Sequence, residues 1–373
     1  MHGGLTVIEA LRRFLPAFLE SKPPLSTQQR RAIWAITHCR TMAMGGRVYA
    51  CPRCAQVHFA CHSCNHKACP QCGRQATQRW VARELGKLVN APYFMVTFTL
   101  PSELRECFFG PHARTFYNLF FAASSAALSE KLATQKGFKA SVSGFTAVLH
   151  TWNQQLNFHP HIHFLVPGAG LRADGKLARV KQAAFLVHLP HLQAAFRQHL
   201  HRLLAEAQWQ VDPQAWKKDW GVHIQPAGSG ASALKYLGRY VARAAIADSR
   251  ILSIGENTVT FRWKDRSDHH RAKPLTLSGV EFVRRYLRHV LPQGLRSIRY
   301  YGFCHPTAKA SRLRVQFHAG SPVQFGSASS PATCADQRCP NCGSTARLLK
   351  CFRPPHSERG PPADRSHSIP ASV

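Results

Sequence analysis

The sequence predicts an α+β protein: a central antiparallel sheet flanked by helices, preceded by a helical, zinc-binding segment. Three observations carry that expectation. The run Tyr93-Phe-Met-Val-Thr-Phe-Thr-Leu100, the alternating stretch 140–152 and the run 157–166 read as strands. Apolar positions at helical spacing in 6–20, 112–131 and 190–207 interleave helices with them, which argues for one sheet with helices on one face. Ahead of the first strand, Cys51-Pro-Arg-Cys54 and Cys69-Pro-Gln-Cys72 lie 14 residues apart. Each Cys-x-x-Cys knuckle can turn two thiolates toward a common centre, so the four suit one tetrahedral zinc.

Composition narrows the partners. At 373 residues the chain is long enough for two or three domains, and 49 Lys+Arg against 18 Asp+Glu leave a formal charge of +31. The cations run through segments that read as folded, which points to a polyanion and to nucleic acid first. A membrane surface comes second, because no stretch approaches the roughly 18 apolar residues of a spanning helix. No signal-peptide pattern opens the chain: Glu9 interrupts the apolar run 7–11 and Arg12-Arg13 follow it. A cytoplasmic protein is expected, in which 13 cysteines serve more naturally as metal ligands than as disulfides.

Taken in order, residues 6–20 form a first helix, and Ser26 with Gln29 makes a capping box for a second through residue 37. The cysteine segment follows, with Cys39, Cys61, Cys64, His58, His62 and His66 around the two knuckles, enough for a second zinc drawn from Cys39, Cys61, Cys64 and a histidine. Residues 74–89 read as a helix whose Arg74, Arg79, Arg83 and Lys87 either meet phosphate or form a solvated face. A domain boundary falls before Pro92. The strand 140–152 is joined to the next through a link at 153–157, and Gly168-Ala-Gly170 closes the latter. A helix at 190–207 has proline in its first turn. A short strand at 220–225, a Gly-Ser-Gly breaker and a helix at 232–245 come next. Beyond it lie a hairpin (250–253 and 258–264), a very basic stretch at 262–273 and a helix at 278–290. Arg296, Arg299, Tyr300 and Tyr301 mix cations with aromatic faces, as single-stranded nucleic acid requires. Cys339-Pro-Asn-Cys342, flanked by Cys334 and Cys351, is a candidate second zinc knuckle, and the Pro/Ser-rich tail reads as disordered.

Two constellations carry chemistry. In Asn157-Phe-His159-Pro-His161-Ile-His163-Phe-Leu-Val166, a period of two puts His159, His161 and His163 on one face and Ile162, Phe164 and Val166 on the other. Imidazoles converging there can hold a divalent metal; a strand whose histidines merely face solvent gives the same pattern. In Lys235-Tyr236-Leu-Gly-Arg-Tyr240, the i, i+4 spacing places Tyr236 and Tyr240 on one helical face, where ordinary packing is the plain alternative. Metal-binding histidines, paired tyrosines and excess cations fit phosphodiester transesterification on DNA. A phenol, with a pKa near 10, is both a workable nucleophile and a good leaving group.

With these motifs in order, the chain resembles a two-tyrosine, HUH-type rolling-circle transposase of the insertion sequence ninety-one family. The resemblance rests on Cys39-Arg-Thr, the Cys51 to Cys72 module, Pro92-Tyr-Phe, Phe98-Thr-Leu-Pro101 and His150-Thr-Trp ahead of His159-Pro-His-Ile-His163. It continues through Tyr236-Leu-Gly-Arg-Tyr240, Ser249-Arg-Ile-Leu-Ser253, Val259-Thr-Phe-Arg-Trp-Lys-Asp265, His289-Val-Leu-Pro-Gln-Gly294 and Arg299-Tyr-Tyr-Gly302, so that roughly 10–345 is covered. It implies an HUH-type nuclease domain in which His161 and His163 bind Mg²⁺ or Mn²⁺ and Tyr236 and Tyr240 are the nucleophiles. It also implies a third metal ligand from the neighbouring strand or link, for which Gln154 is the first choice and His159 and Gln155 are rivals. Zinc would rest on Cys51, Cys54, Cys69 and Cys72, with Cys64 and Cys39 beside them. Arg47 and Ala68 stand where the family carries histidines, so a further zinc is either lost or recruits His62 or His66.

The domain division expected is 1–91 (helical and zinc-binding), 92–248 (catalytic), 249–320 (a basic, DNA-binding extension), 321–354 (the second knuckle) and a tail at 355–373. The partners expected are single-stranded DNA at transposon ends and target DNA, with no membrane. A plasmid replication initiator or relaxase would share the metal and tyrosine chemistry. A non-enzymatic, zinc-dependent DNA-binding regulator would need only the cysteines and the charge.

Overall fold

The computed structural model describes residues 5–135, 138, 142–218, 220–241, 245–265, 267–322 and 337–353, excluding the side chains of 74–76 and 239–241. The expected tail, Cys334 and the side chains of Arg74 and Tyr240 therefore lie outside the described residues. Two helices open the chain, α1 (Val7–Glu20) and α2 (Thr27–His38), the second with the capping box in place: Gln29 N–H donates to Ser26 Oγ and Ser26 N–H to Gln29 Oε1. Strands β1 (Gly46–Ala50) and β2 (Val57–Cys61), helix α3 (Gly73–Leu85), β3 (Tyr93–Thr99) and α4 (Ala113–Thr134) follow. Then come β4 (Gly144–Trp152), β5 (Phe158–Pro167), the small hairpin β6 (Ala169–Leu171) and β7 (Leu177–Arg179), α5 (Leu189–Glu206), β8 (Gly221–Pro226) and α6 (Ala231–Val241). The remainder comprises β9 (Ile251–Ile254), β10 (Thr258–Asp265), β11 (Arg271–Ser278), α7 (Gly279–Leu287), β12 (Ile298–Gly302), α8 (Lys309–His318), β13 (Gln337–Arg338) and β14 (Thr345–Phe352). No helix among the described residues is long and apolar enough to cross a membrane.

Five strands form the central antiparallel sheet in the order β12-β4-β5-β3-β8. Alternation along β3, β4 and β5 sends Phe94, Phe98, Phe145, Ile162 and Phe164 to one face, where α4 and α5 bury them with Phe116, Phe120 and Phe196. The other face is covered too, which corrects the expectation of helices on one side only. Val148, Leu165 and Tyr93 pack there against Trp80 of α3 and Leu234 and Leu237 of α6. Arg299, Tyr300 and Tyr301 are also read differently by the fold. As part of edge strand β12 they are absorbed into packing: Arg299 lies 3.9 Å over the Phe121 ring and Tyr301 against Phe145, while Trp80 Nε1–H donates to the Tyr300 hydroxyl. They form no open stacking platform.

The other sheets join segments far apart in sequence. In β13-β14-β1-β2, the C-terminal β14 pairs with β1. The sheet β11-β10-β9 stands on a core shared by α1 and α7, and α7 crosses α1 so closely that a Cβ at Gly279 would meet the Phe14 ring at 2.1 Å. The linear division at 91, 248 and 320 thus cuts across the structure. The N-terminal helices share a core with 245–290, β12 completes the central sheet, and 337–352 returns to the cysteine-rich segment.

Candidate active site and zinc centres

Strands β4 and β5 converge three histidines on one face of the sheet. His161 lies opposite His150 across the ladder, and His163 opposite Val148. Ring centroids are 5.1 Å apart for His150 and His161, 4.4 Å for His150 and His163, and 4.8 Å for His161 and His163. Their ligand nitrogens all fall within 4.8 Å of one another, as a shared divalent ion requires. The contacts behind the rings orient them. His161 Nδ1 lies 2.7 Å from the His159 carbonyl, which can only accept, so the proton sits on Nδ1 and Nε2 keeps its lone pair. His163 Nδ1 lies 2.8 Å from Thr97 Oγ1. Burial, and then the neighbouring His163 and His161, hold the pKa of His150 well below the usual histidine value, which keeps this ligand neutral.

A third histidine completes the cluster, His150, which the sequence reading did not put forward as a ligand. Gln154 sits in the β4–β5 loop, where its backbone carbonyl accepts from Arg250 Nη2. The backbone carbonyl of Gln155, the rival, accepts from Arg285 Nη1 at 3.0 Å. His159 lies at the outer end of the row, its ring 5.2 Å from His161. The reason the sequence concealed His150 is a bulge. Trp152 pairs with Phe158, a register that would set His150 opposite Pro160, but the shift between His150 and Trp152 moves it opposite His161. Arg105 is a second residue that sequence reasoning missed. Its Nη2 is 3.5 Å from Nδ1 of His159, the next histidine along β5 from His161, and its buried Nε makes no hydrogen bond among the described residues.

Helix α6 brings Tyr236 to the same face. Leu234 and Leu237 anchor the helix on Val148 and Leu165, and Gly238 lets α3 approach, since a Cβ there would meet Val81 at 2.2 Å. The Tyr236 ring centroid then lies 6.3 Å from that of His163, and the residue keeps 37% of its surface exposed. Tyr240 follows four residues later in the same helix.

The cysteines form two four-thiol clusters, and neither is the one expected. Cys39, Cys64, Cys69 and Cys72 make the first, with Sγ–Sγ separations of 3.5 Å for Cys39 and Cys72 and 3.6 Å for Cys64 and Cys72. Cys51 and Cys54 join Cys339 and Cys342 in the second, at 3.4 Å for Cys51 and Cys342 and 3.6 Å for Cys54 and Cys339. Tetrahedral zinc at about 2.3 Å per thiolate needs separations of about 3.8 Å, so both clusters fit. The correction has a physical cause: β14 pairs with β1 and delivers its knuckle beside Cys51 and Cys54, leaving Cys69 and Cys72 to Cys39 and Cys64. Crowded sulfurs also divide their protons. Hydrogen bonds from Cys64 and then Cys69 bring Cys39 down to about 7, whereas Cys64 is pushed far up by the same contact. Cys61 belongs to neither cluster, His66 stays outside the first, and His62 Nε2 lies 3.6 Å from Cys351 Sγ. His58 Nε2 is 3.0 Å from Cys339 Sγ.

Residues 144–312, which hold the histidines and Tyr236, match a family model described as "Putative transposase". Residues 10–100 match a transposase zinc-binding domain of the IS91 type. A protein of Sinorhizobium fredii named "Putative transposase y4qJ" is 36% identical over 321 residues, covering 80% of each chain. The transposase for insertion sequence element IS801 of Pseudomonas savastanoi pv. phaseolicola is 29% identical over 286 residues, 71% of this chain and 67% of that protein. No solved structure gives a significant match.

Proposed function

The chain belongs to the IS91-type transposases, and from that premise we propose that it nicks and rejoins single-stranded DNA at transposon ends through a 5′-phosphotyrosine intermediate, driving rolling-circle-type transposition. The observation that carries this reading is the position of Tyr236, 6.3 Å from His163 between ring centroids, at the rim of the three-histidine cluster.

His150, His161 and His163 would hold the catalytic ion, and an all-nitrogen set suits Mn²⁺ better than the oxygen-seeking Mg²⁺. Held there, it would supply Lewis-acid polarisation of a non-bridging phosphate oxygen and would offset the charge that grows in the transition state. The residues do the rest. The His159 carbonyl fixes the tautomer of His161, and Thr97 fixes the ring of His163. Arg105, beside His159, can take a second phosphate oxygen. The Tyr236 oxygen attacks phosphorus: the new O–P bond forms, the bond to the 3′ oxygen breaks, the phenolic proton leaves to solvent, and the departing oxygen takes up a proton as a free 3′-hydroxyl. The phosphotyrosine conserves the bond energy for the reverse transfer. Tyr240, one helical turn on, would make a second cleavage while the first strand is held.

The test is covalent capture. Wild-type protein with a single-stranded oligonucleotide carrying its element's end and Mn²⁺ gives a protein–DNA adduct. Tyr236→Phe combined with Tyr240→Phe, and His161→Ala combined with His163→Ala, abolish it. An adduct that survives the double tyrosine change sinks the proposal, and a regulator that only binds DNA gives none at all.

A further inference from the structure

We propose that the outer face of the β9–β10–β11 sheet docks along the backbone of double-helical DNA. This inference requires only that the chain acts on DNA; it does not depend on the tyrosine chemistry. The inner face of the sheet is committed to the protein, because Val259, Phe261 and Leu277 are buried on the core that α1 and α7 share. The alternate residues therefore face outward. Along β10 these are Thr258, Thr260, Arg262 and Lys264; opposite them on β11 lie Ala272, Pro274 and Thr276, and Ser253 of β9 lies opposite Thr260. All are exposed except Thr260, which is half-buried with its hydroxyl 2.8 Å from that of Thr276.

The composition of this face identifies its partner. It carries cations, hydroxyls and two small apolar residues, and no carboxylate: Asp265 takes the opposite parity and is held by Lys273 Nζ at 2.8 Å. Arginine, lysine, serine and threonine are the side chains that contact phosphate and sugar. Ala272 and Pro274, opposite Lys264 and Arg262, leave room for a backbone to approach. The face also lacks an aromatic ring, since Trp263 belongs to the inner parity, and unpaired bases have nothing there to stack on. A protein strand is disfavoured as well, because Pro274 removes an N–H from edge strand β11. A regularly spaced, fully paired polyanion remains, and a formal charge of +31 draws it in.

The test uses full-length, zinc-loaded protein with Arg262→Gln and Lys264→Gln combined, titrated by anisotropy against a labelled duplex and against one of its separated strands, over about 50 to 200 mM salt. Duplex binding weakens roughly 10–100-fold at low salt and its logarithmic salt slope shrinks by about 2, one per lost phosphate contact, while single-strand binding is unchanged. Thr276→Lys, which adds a cation to the face, steepens the duplex slope by about 1. Zinc content and circular dichroism verify that the variants are folded. Unaltered duplex binding in both variants overturns the proposal. So does a parallel loss on the single strand, which would make the face a single-strand groove.

Discussion

The histidine cluster and the cysteine clusters both gather ligand-type side chains around short motifs, yet they are assembled in opposite ways. His150, His161 and His163 come from two strands of one hairpin, within 14 residues of chain. Cys51 and Cys54 find their partners 285 or more residues away, in the turn that leads into β14, the strand that pairs with β1. A hairpin site is set by register, so a single bulge decides which side chain joins. Knuckle sites are set by topology, because one Cys-x-x-Cys pair is chemically as good as another and only the fold chooses between them.

The largest effect should come from attacking that topological choice. Cys69 and Cys39 are buried in the core under α1 and α7, so Cys69→Ser with Cys72→Ser removes one zinc and dismantles that core, a loss on the order of 10 kcal/mol of metal-linked stability. Cys339→Ser with Cys342→Ser removes the other zinc but spares the α1–α7 core. Zinc analysis alongside thermal unfolding distinguishes the two. If zinc content does not fall in the second variant, Cys51 and Cys54 are paired elsewhere and the comparison breaks.

The hairpin site is sharpened by two substitutions. His150→Gln should slow adduct formation by about 1000-fold, roughly 4 kcal/mol of barrier, whereas Gln154→Ala should leave it nearly unchanged. The reverse order would restore Gln154 as the ligand.

A smaller effect follows from what braces the hairpin. His289 is buried, with Nε2 3.2 Å from the Leu156 carbonyl in the β4–β5 loop, and burial brings its pKa down to about 4. The unfolded chain, with an ordinary value near 6.5, binds this proton first as pH falls. The contribution is therefore complete above about pH 6.5 and declines by roughly 3 kcal/mol toward pH 4. Melting temperatures recorded across that window should flatten in His289→Asn. An unchanged slope would assign the pH dependence to other groups.

Much of this was legible in the sequence. The period of two along 157–166 put His161 and His163 on one face, and i, i+4 spacing put Tyr236 on a helix that reaches them. Ser26 and Gln29 announced their cap because capping depends on neighbours three residues apart. What escaped was non-local. His150 needed a register shift that no residue type announces, and the knuckle pairing needed the β1–β14 ladder. Tyr300 and Tyr301 look like stacking platforms until β12 is seen to edge the central sheet.

The β1–β14 ladder also has a consequence in time. Thr345 is synthesised 295 residues after Ala50, so at roughly 5–20 residues per second the first strand waits about 15–60 s on the ribosome for its neighbour. Throughout that interval β1 presents a bare edge, and Cys51 and Cys54 hold only half a coordination shell. Maturation of this module is thereby ordered after synthesis of the central sheet, whose last strand ends at Gly302.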